Sequence, residues 1–194
     1  MPSNDEVNDM KYEMEIAGLK RELPLCKVDD DTYIAAFICF GDAEVTVEAA
    51  KRMLDLVPGS EYDYMLTAEA KGIPLAHEMA RQAGVKKYFV ARKGPKNYMP
   101  DPIHVDDSSI TTKGLQKLYI GSDDAALIKD HRILLVDDVI STGGSLRAME
   151  ALVEIAGGKV AGKVAVLAEG AAADRKDIRY LHKLPLFDAS GRPK

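Results

Sequence analysis

Short apolar runs alternate with apolar stripes at helical spacing along most of this chain. Residues 5–18 are largely polar, with Val7, Met10, Met14 and Ala17 at a helical spacing that predicts a short amphipathic helix ending near Gly18. Leu23 to Val28 and Thr32 to Phe40 are apolar stretches joined by Asp29-Asp30-Asp31, the pattern of a hairpin. A helix is predicted over 43–57, stopped by Pro58-Gly59, then a strand over 64–67. A second helix is predicted over 73–82, with Pro74 tolerated in its first turn, and a strand over 87–91. Residues 93–113 are irregular, and a loop of that length in a compact domain is often an active-site lid. A strand is expected over 115–120. Ile133 to Val136 is a continuous apolar run, as in a parallel strand buried on both faces. Leu146, Met149, Leu152, Val153 and Ala156 then recur at helical spacing. Val160 to Leu167 predicts another strand, residues 171–180 a helix, and the tail from Asp188 is expected to be loose. Alternating strands and helices give an α/β class with a parallel sheet.

Composition narrows this picture. A chain of 194 residues is most simply one domain with a full core. Hydrophobic content of 46% and charged content of 29% are ordinary for a globular protein. The net charge of −5 gives no basis for general nucleic-acid or membrane binding, so an anionic substrate needs a local basic site. No apolar run is long enough for a membrane span, and the acidic N-terminus lacks a signal-peptide core, so a cytoplasmic protein is expected. Cys26 and Cys39 lie in apolar surroundings and are expected as buried free thiols. His77, His104, His131 and His182 show no metal-ligand spacing with them, so no structural zinc site is expected.

The chemistry concentrates after the apolar run. Asp137 and Asp138 end it, Ser141-Thr142-Gly143-Gly144-Ser145 follows, and a helix begins. That order suits a sugar phosphate. The glycines admit close backbone approach, the hydroxyls donate, and the helix start offers unpaired N–H groups and a positive dipole end. The acids can accept from sugar hydroxyls or stand near a hydrated metal ion. No Walker loop occurs. The bland alternative is a doubly wound protein whose acids end a strand by chance. In an open α/β sheet the ligand sits beyond the carboxyl ends of the strands, where the loops after Thr67, Ala91 and Val136 all fall. The first two carry Glu69-Ala70-Lys71-Gly72 and Arg92-Lys93, which are otherwise ordinary solvated turn residues.

The stretch from Arg132 to Ser145 resembles the phosphoribosyl-pyrophosphate motif of the type I phosphoribosyltransferases. The resemblance implies their fold: a mostly parallel central sheet flanked by helices, with a small N-terminal hood over 1–42 and a flexible lid at 94–113, in one domain over 1–194. Residues Thr67 to Pro74 resemble the pyrophosphate loop of the adenine, xanthine and archaeal hypoxanthine branches, which implies substrate contacts at Glu69, Ala70, Lys71 and Gly72. Arg92-Lys93 resembles the pair that grips pyrophosphate there, and cations positioned on a leaving group stabilise its growing charge. By the same resemblance Asp137 and Asp138 bind the ribose hydroxyls, directly or through hydrated Mg2+, and Ser141, Thr142, Gly143, Gly144 and Ser145 cradle the 5′-phosphate. Mg2+ is usually held by few carboxylates plus substrate phosphates, so it is expected to arrive with phosphoribosyl pyrophosphate.

At the purine end the clues divide. Ser141 stands where the human-type hypoxanthine-guanine enzymes carry an aspartate, which favours the other branches. Thr112 to Gly121 has Gln116 and no Glu, closer to the xanthine and archaeal versions. Gly170, beside Glu169, occupies the place of a lysine that 6-oxopurine enzymes tend to use, with Lys176 nearby. Leu25, Tyr33, Phe37 and Phe40 could hood a flat base or simply pack the core. The resemblance implies a purine phosphoribosyltransferase, adenine slightly favoured. Asp137, Asp138, Arg92 and Lys93 are the catalytic set, Glu69 to Gly72, Ser141 to Ser145 and Glu169 the substrate-binding set, and a homodimer is implied. Two alternatives stay open: a regulator that senses phosphoribosyl pyrophosphate without turning it over, and orotate transfer. Lys96 and Tyr98 lie in the lid.

Overall fold

Burial on both faces places one strand at the centre of this molecule. In the computed structural model, which describes residues 10–105 and 117–194, β8 (Arg132–Ile140) carries Ile133, Leu134, Leu135 and Val136 at no more than 1% exposure. Strand alternation sends Leu134 and Val136 into one core with Met53, Leu75 and Met79, and Ile133 and Leu135 into a second with Met149 and Leu152. β9 (Lys159–Glu169) and β4 (Tyr64–Ala68) flank it, and β10 (Arg179–Leu184) and β5 (Tyr88–Ala91) close the edges. All four pairings are parallel, giving the order β10-β9-β8-β4-β5. Helices α1 (Ala43–Leu56) and α2 (Gly72–Ala83) pack in the first core and α4 (Gly144–Ile155) in the second. The fold is therefore the parallel α/β sheet flanked by helices that the sequence pattern predicts.

A small antiparallel sheet caps this body. It runs in the order β1-β2-β3-β11, from β1 (Lys11–Ile16), β2 (Leu19–Lys27), β3 (Tyr33–Ala35) and β11 (Leu186–Phe187). The helix expected over 5–18 is corrected here: residues 11–16 are a strand, turning at Ala17-Gly18 with φ of 52° and 86°. Tyr12, Met14 and Ile16 also alternate with Lys11, Glu13 and Glu15, and the period of two wins because β2 offers a pairing edge. Tyr12 then meets Phe187 edge-on at 4.8 Å. Residues 5–9 of that expectation lie outside the described residues.

The C-terminal third also departs from expectation. Only Gly170–Asp174 is helical, as a 3-10 turn, and residues 179–184 form β10 instead of ending a helix. Its polar side chains reflect its place as a sheet edge. The tail is not loose: Asp188 accepts from Ser190 and Arg192, and Lys194 N donates to Leu186 O at 2.8 Å. β6 (Ile103–His104) lies inside the stretch expected to be irregular and pairs with β7 (Tyr119–Ile120), which falls within the strand expected over 115–120, and α3 (Ser122–Ile128) has no counterpart among the expected elements. Residues 106–113 of the expected lid, and Gln116 beyond it, lie outside the described residues. Cys39 is buried, but Cys26 is exposed, because its position on β2 faces away from the core. Leu25 and Phe37 are core residues, whereas Phe40 is 48% exposed. Among the described residues no helix is long and apolar enough to cross a membrane.

Candidate functional site

Parallel strands end together, so their following loops converge. β4 leads into Glu69-Ala70-Lys71-Gly72, β5 into Arg92-Lys93, β8 into Ser141-Thr142-Gly143-Gly144-Ser145, and β9 ends at Glu169. All the residues predicted for the site thus lie along one edge of the sheet.

The β4 loop is held by packing. Gly72 opens α2, and a Cβ there would fall 2.1 Å from Thr67 Oγ1, so only glycine lets the helix start this close to the strand. The Glu69–Ala70 peptide is cis. Glu69 spends its carboxylate on the neighbouring loop: Oε2 accepts from Arg92 Nε and from Lys93 N, each at 3.0 Å. The Arg92 guanidinium holds the Glu69 carboxyl below the usual range, with the Lys93 N–H assisting. Arg92 also donates through Nη1 to the Tyr98 hydroxyl, which ties the start of the lid segment to the site. Glu69 therefore orients a cation.

Lys71 joins the two halves. Its Nζ lies 2.8 Å from Asp138 Oδ2, off the axis of a hydrogen bond, with the carboxylate buried and the ammonium half-exposed. The Lys71 carbonyl accepts from the Cys39 thiol at 3.0 Å, and burial pushes that thiol up to about 12, so it stays protonated. Nothing local in the sequence singles out Cys39 for this contact. Asp138 N donates to Asp137 Oδ1 at 3.0 Å. Burial first, and Asp138 second, raise the Asp137 carboxyl above the usual range. Two acids so close, facing one lysine, form a place for a cation or for hydroxyl donors. Among the described residues no three His, Cys, Asp or Glu side chains gather as a metal cage, so a cation here would need oxygens from its ligand.

The small-residue loop fits an anion. Gly143 has φ 76° and ψ 14°, the left-handed turn that aims successive N–H groups inward at the start of α4. Ser141 and Thr142 are exposed, while Gly143 and Gly144 are buried. A hollow of about 100 Å3 lies between Asp137, Val139, Ser141, Thr142, Gly143 and Ser145. Two arginines stand behind it: Arg147 Nη1 donates to Thr142 O at 3.0 Å, and Arg175 Nη1 would lie 2.7 Å from a Cβ on Gly143. Glu169 is buried at the end of β9, in register with Leu184 of β10. Lys176 is exposed on the turn before β10.

The chain is similar to known proteins in sequence and in fold. The family model described as phosphoribosyl transferase domain matches residues 48–184. The adenine phosphoribosyltransferase of Bifidobacterium animalis subsp. lactis is 37% identical over 102 residues, covering 53% of this chain and 50% of that protein. The hypoxanthine/guanine phosphoribosyltransferase of Methanosarcina mazei is 33% identical over 124 residues, covering 64% of this chain and 61% of that protein. The matches to these two curated relatives thus span between half and two thirds of their length. Among solved structures, the adenine phosphoribosyltransferase from Thermoanaerobacter pseudethanolicus superposes with a TM-score of 0.62 at 23% identity, covering 93% of this chain and 99% of that one. This last likeness is one of fold.

Proposed function

The chain belongs to the phosphoribosyl transferase domain family, and from that premise we propose that it is a purine phosphoribosyltransferase. Phosphoribosyl pyrophosphate and a purine base are its substrates, and a nucleoside monophosphate and pyrophosphate its products. The observation that carries this reading is the Lys71–Asp138 contact at 2.8 Å, which joins a pyrophosphate-type loop to a sugar-phosphate loop across one sheet edge. A substrate with a phosphate at one end and a pyrophosphate at the other would engage both loops at once.

In the reaction the C1–O bond to pyrophosphate breaks, a purine ring nitrogen bonds to C1, and the base loses a proton. Positive charge grows on the ribose and negative charge on the leaving group. Lys71, Arg92 and Lys93 stabilise the leaving pyrophosphate, with Glu69 orienting Arg92. Asp137 and Asp138 hold the ribose hydroxyls and so orient C1. Ser141 to Ser145 bind the 5′-phosphate through N–H groups and hydroxyls. Mg2+ arriving with phosphoribosyl pyrophosphate would be held by Asp137 and Asp138 and would neutralise pyrophosphate charge. The segment from residue 94, anchored by Tyr98 on Arg92, closes over the site and keeps water from the activated sugar. The active form is a homodimer working in the cytoplasm on small molecules.

Adenine is the favoured base. Gly170 offers no side chain to a purine oxygen, and Lys176 is exposed on a turn. Relatives named for adenine and for hypoxanthine/guanine both match, so the base is decided by assay. Pyrophosphate release is measured with phosphoribosyl pyrophosphate, Mg2+ and adenine, hypoxanthine, guanine, xanthine or orotate in turn. Release with adenine is expected. Tight binding of phosphoribosyl pyrophosphate without release for any base would replace this reading with a sensor. Release with orotate alone would replace it with pyrimidine transfer.

A further inference from the structure

Behind the small-residue loop, charged side chains from three segments form one ionic chain. Glu150 of α4 pairs with Lys163 of β9, and Lys163 Nζ lies 2.7 Å from Asp177 Oδ2. Asp177 in turn accepts from Arg175 Nε at 2.9 Å and from Nη2 at 2.7 Å. That fork leaves Arg175 Nη1 directed at the loop, where a Cβ on Gly143 would fall 2.7 Å from it. Arg147 Nη1 lies 3.3 Å from that same point, and Arg147 Nε is buried with no hydrogen-bond partner. Two guanidiniums therefore converge on the left-handed turn of the loop. A carboxylate matches Arg175, but among the described residues Arg147 donates only to the Thr142 carbonyl. Like charges that close repel unless an anion shares them.

We propose that Arg147 and Arg175 are positioning residues for the 5′-phosphate of the sugar substrate, an inference that rests on the functional reading above. Neither lines the hollow where the phosphate would sit. They act through the backbone, Arg147 by fixing the Thr142 carbonyl and Arg175 by packing on Gly143. Together they set a positive potential behind the N–H groups. The phosphate is distant from C1 and its charge does not change during transfer. Its stabilisation is therefore equal in ground and transition states, and it acts on KM and not on kcat. Asp177 and Lys163 hold Arg175 in register, which gives the ionic chain a role beyond tying β9 to the turn before β10.

The test separates the two anion sites. Calorimetric titration of the full chain with ribose 5-phosphate and, separately, with pyrophosphate compares wild type with Arg147→Met, Arg175→Met and Arg175→Lys. Each methionine variant is expected to weaken ribose 5-phosphate about tenfold and to leave pyrophosphate within about twofold. KM for phosphoribosyl pyrophosphate rises in parallel while kcat stays within about twofold, and Arg175→Lys, which keeps the charge but cannot hold Asp177 and reach the loop at once, recovers only part of the loss. Unchanged ribose 5-phosphate affinity in both methionine variants would overturn the inference. So would equal loss of both probes without recovery by lysine, the mark of a merely structural role. Wild-type protein that binds neither probe would overturn the functional reading, and the inference with it.

Discussion

Replacing Gly72 with alanine tests the tightest contact in the site. The added Cβ would stand 2.1 Å from Thr67 Oγ1 and 3.4 Å from the Val136 carbonyl. Ordinary contact begins near 3.4 Å, so something must move by more than an ångström. Thr67 cannot retreat: it is fully buried on β4, in register with Val90 on one side and Val136 on the other. Overpacking of this kind costs about 1–3 kcal/mol, and the better helix former returns up to about 1 kcal/mol. The net loss is about 1–2 kcal/mol, or roughly 2–8 °C in Tm for a domain of this size. Thr67→Ala relieves the clash. It forfeits a methyl, at about 1 kcal/mol, but also removes a buried hydroxyl with no hydrogen-bond partner, worth about 1–3 kcal/mol of desolvation. Thr67→Ala alone should therefore be about 0–2 kcal/mol more stable than wild type, and the double variant should recover the Gly72→Ala loss. Urea unfolding gives the stabilities and pyrophosphate release the activity, which should fall in Gly72→Ala because the Gly72 N–H is displaced. A Gly72→Ala protein as stable and active as wild type would refute the reasoning. So would a double variant no better than Gly72→Ala alone.

Other consequences follow from the same coordinates. Asp137→Asn with Asp138→Asn should abolish pyrophosphate release while Tm holds or rises, since two crowded, poorly solvated acids are neutralised; calorimetry and turnover read both. Gly143→Val combines a φ of 76° with a Cβ 2.7 Å from Arg175 Nη1, a strain of about 1–3 kcal/mol, and should raise KM for phosphoribosyl pyrophosphate sharply. His182 Nε2 accepts from Ala17 N at 3.0 Å, pinning the hood turn to β10, and burial, with Arg52 adding to it, lowers its pKa from the ordinary 6.5 against the opposing pull of Glu15. The unfolded chain then takes up the proton first, so stability is full above pH 6.5, falls as pH drops below it, and levels off past the folded value. His182→Gln should flatten that slope below about pH 6.5 in urea titrations; an unchanged slope would assign the pH dependence elsewhere.

The parts of this protein that were legible in its sequence are those written in consecutive residues. The apolar run of β8, the two acids, the small-residue loop and the start of α4 follow one another from 132 to 155, and each constrains the next through backbone geometry alone. The helices α1 and α2 were legible for the same reason, since a buried stripe records its own period. Of the edge strands β5 was legible, but β1, β10 and β11 were not. β1 fits a helical stripe until its period of two is matched to β2, β10 mixes polar and apolar residues, and β11 is too short to signal a strand before a neighbour pairs with it.

Residue types at the site were equally readable, but their duties were not. Glu69 stands in the loop as expected, yet its carboxylate is committed to Arg92 and the Lys93 amide, 23 and 24 residues away. Lys71 meets Asp138 because β4 lies beside β8, and the Cys39 thiol reaches the Lys71 carbonyl because the chain leaving the hood crosses the start of α2. Local sequence thus determined which segments can be strand, loop or helix, since these depend on period and backbone freedom. Partnerships among charged side chains, and closure of the hood by the C-terminal strand, were decided only by tertiary structure. They depend on distances between segments far apart in the chain, and only burial of two shared cores brings those segments together.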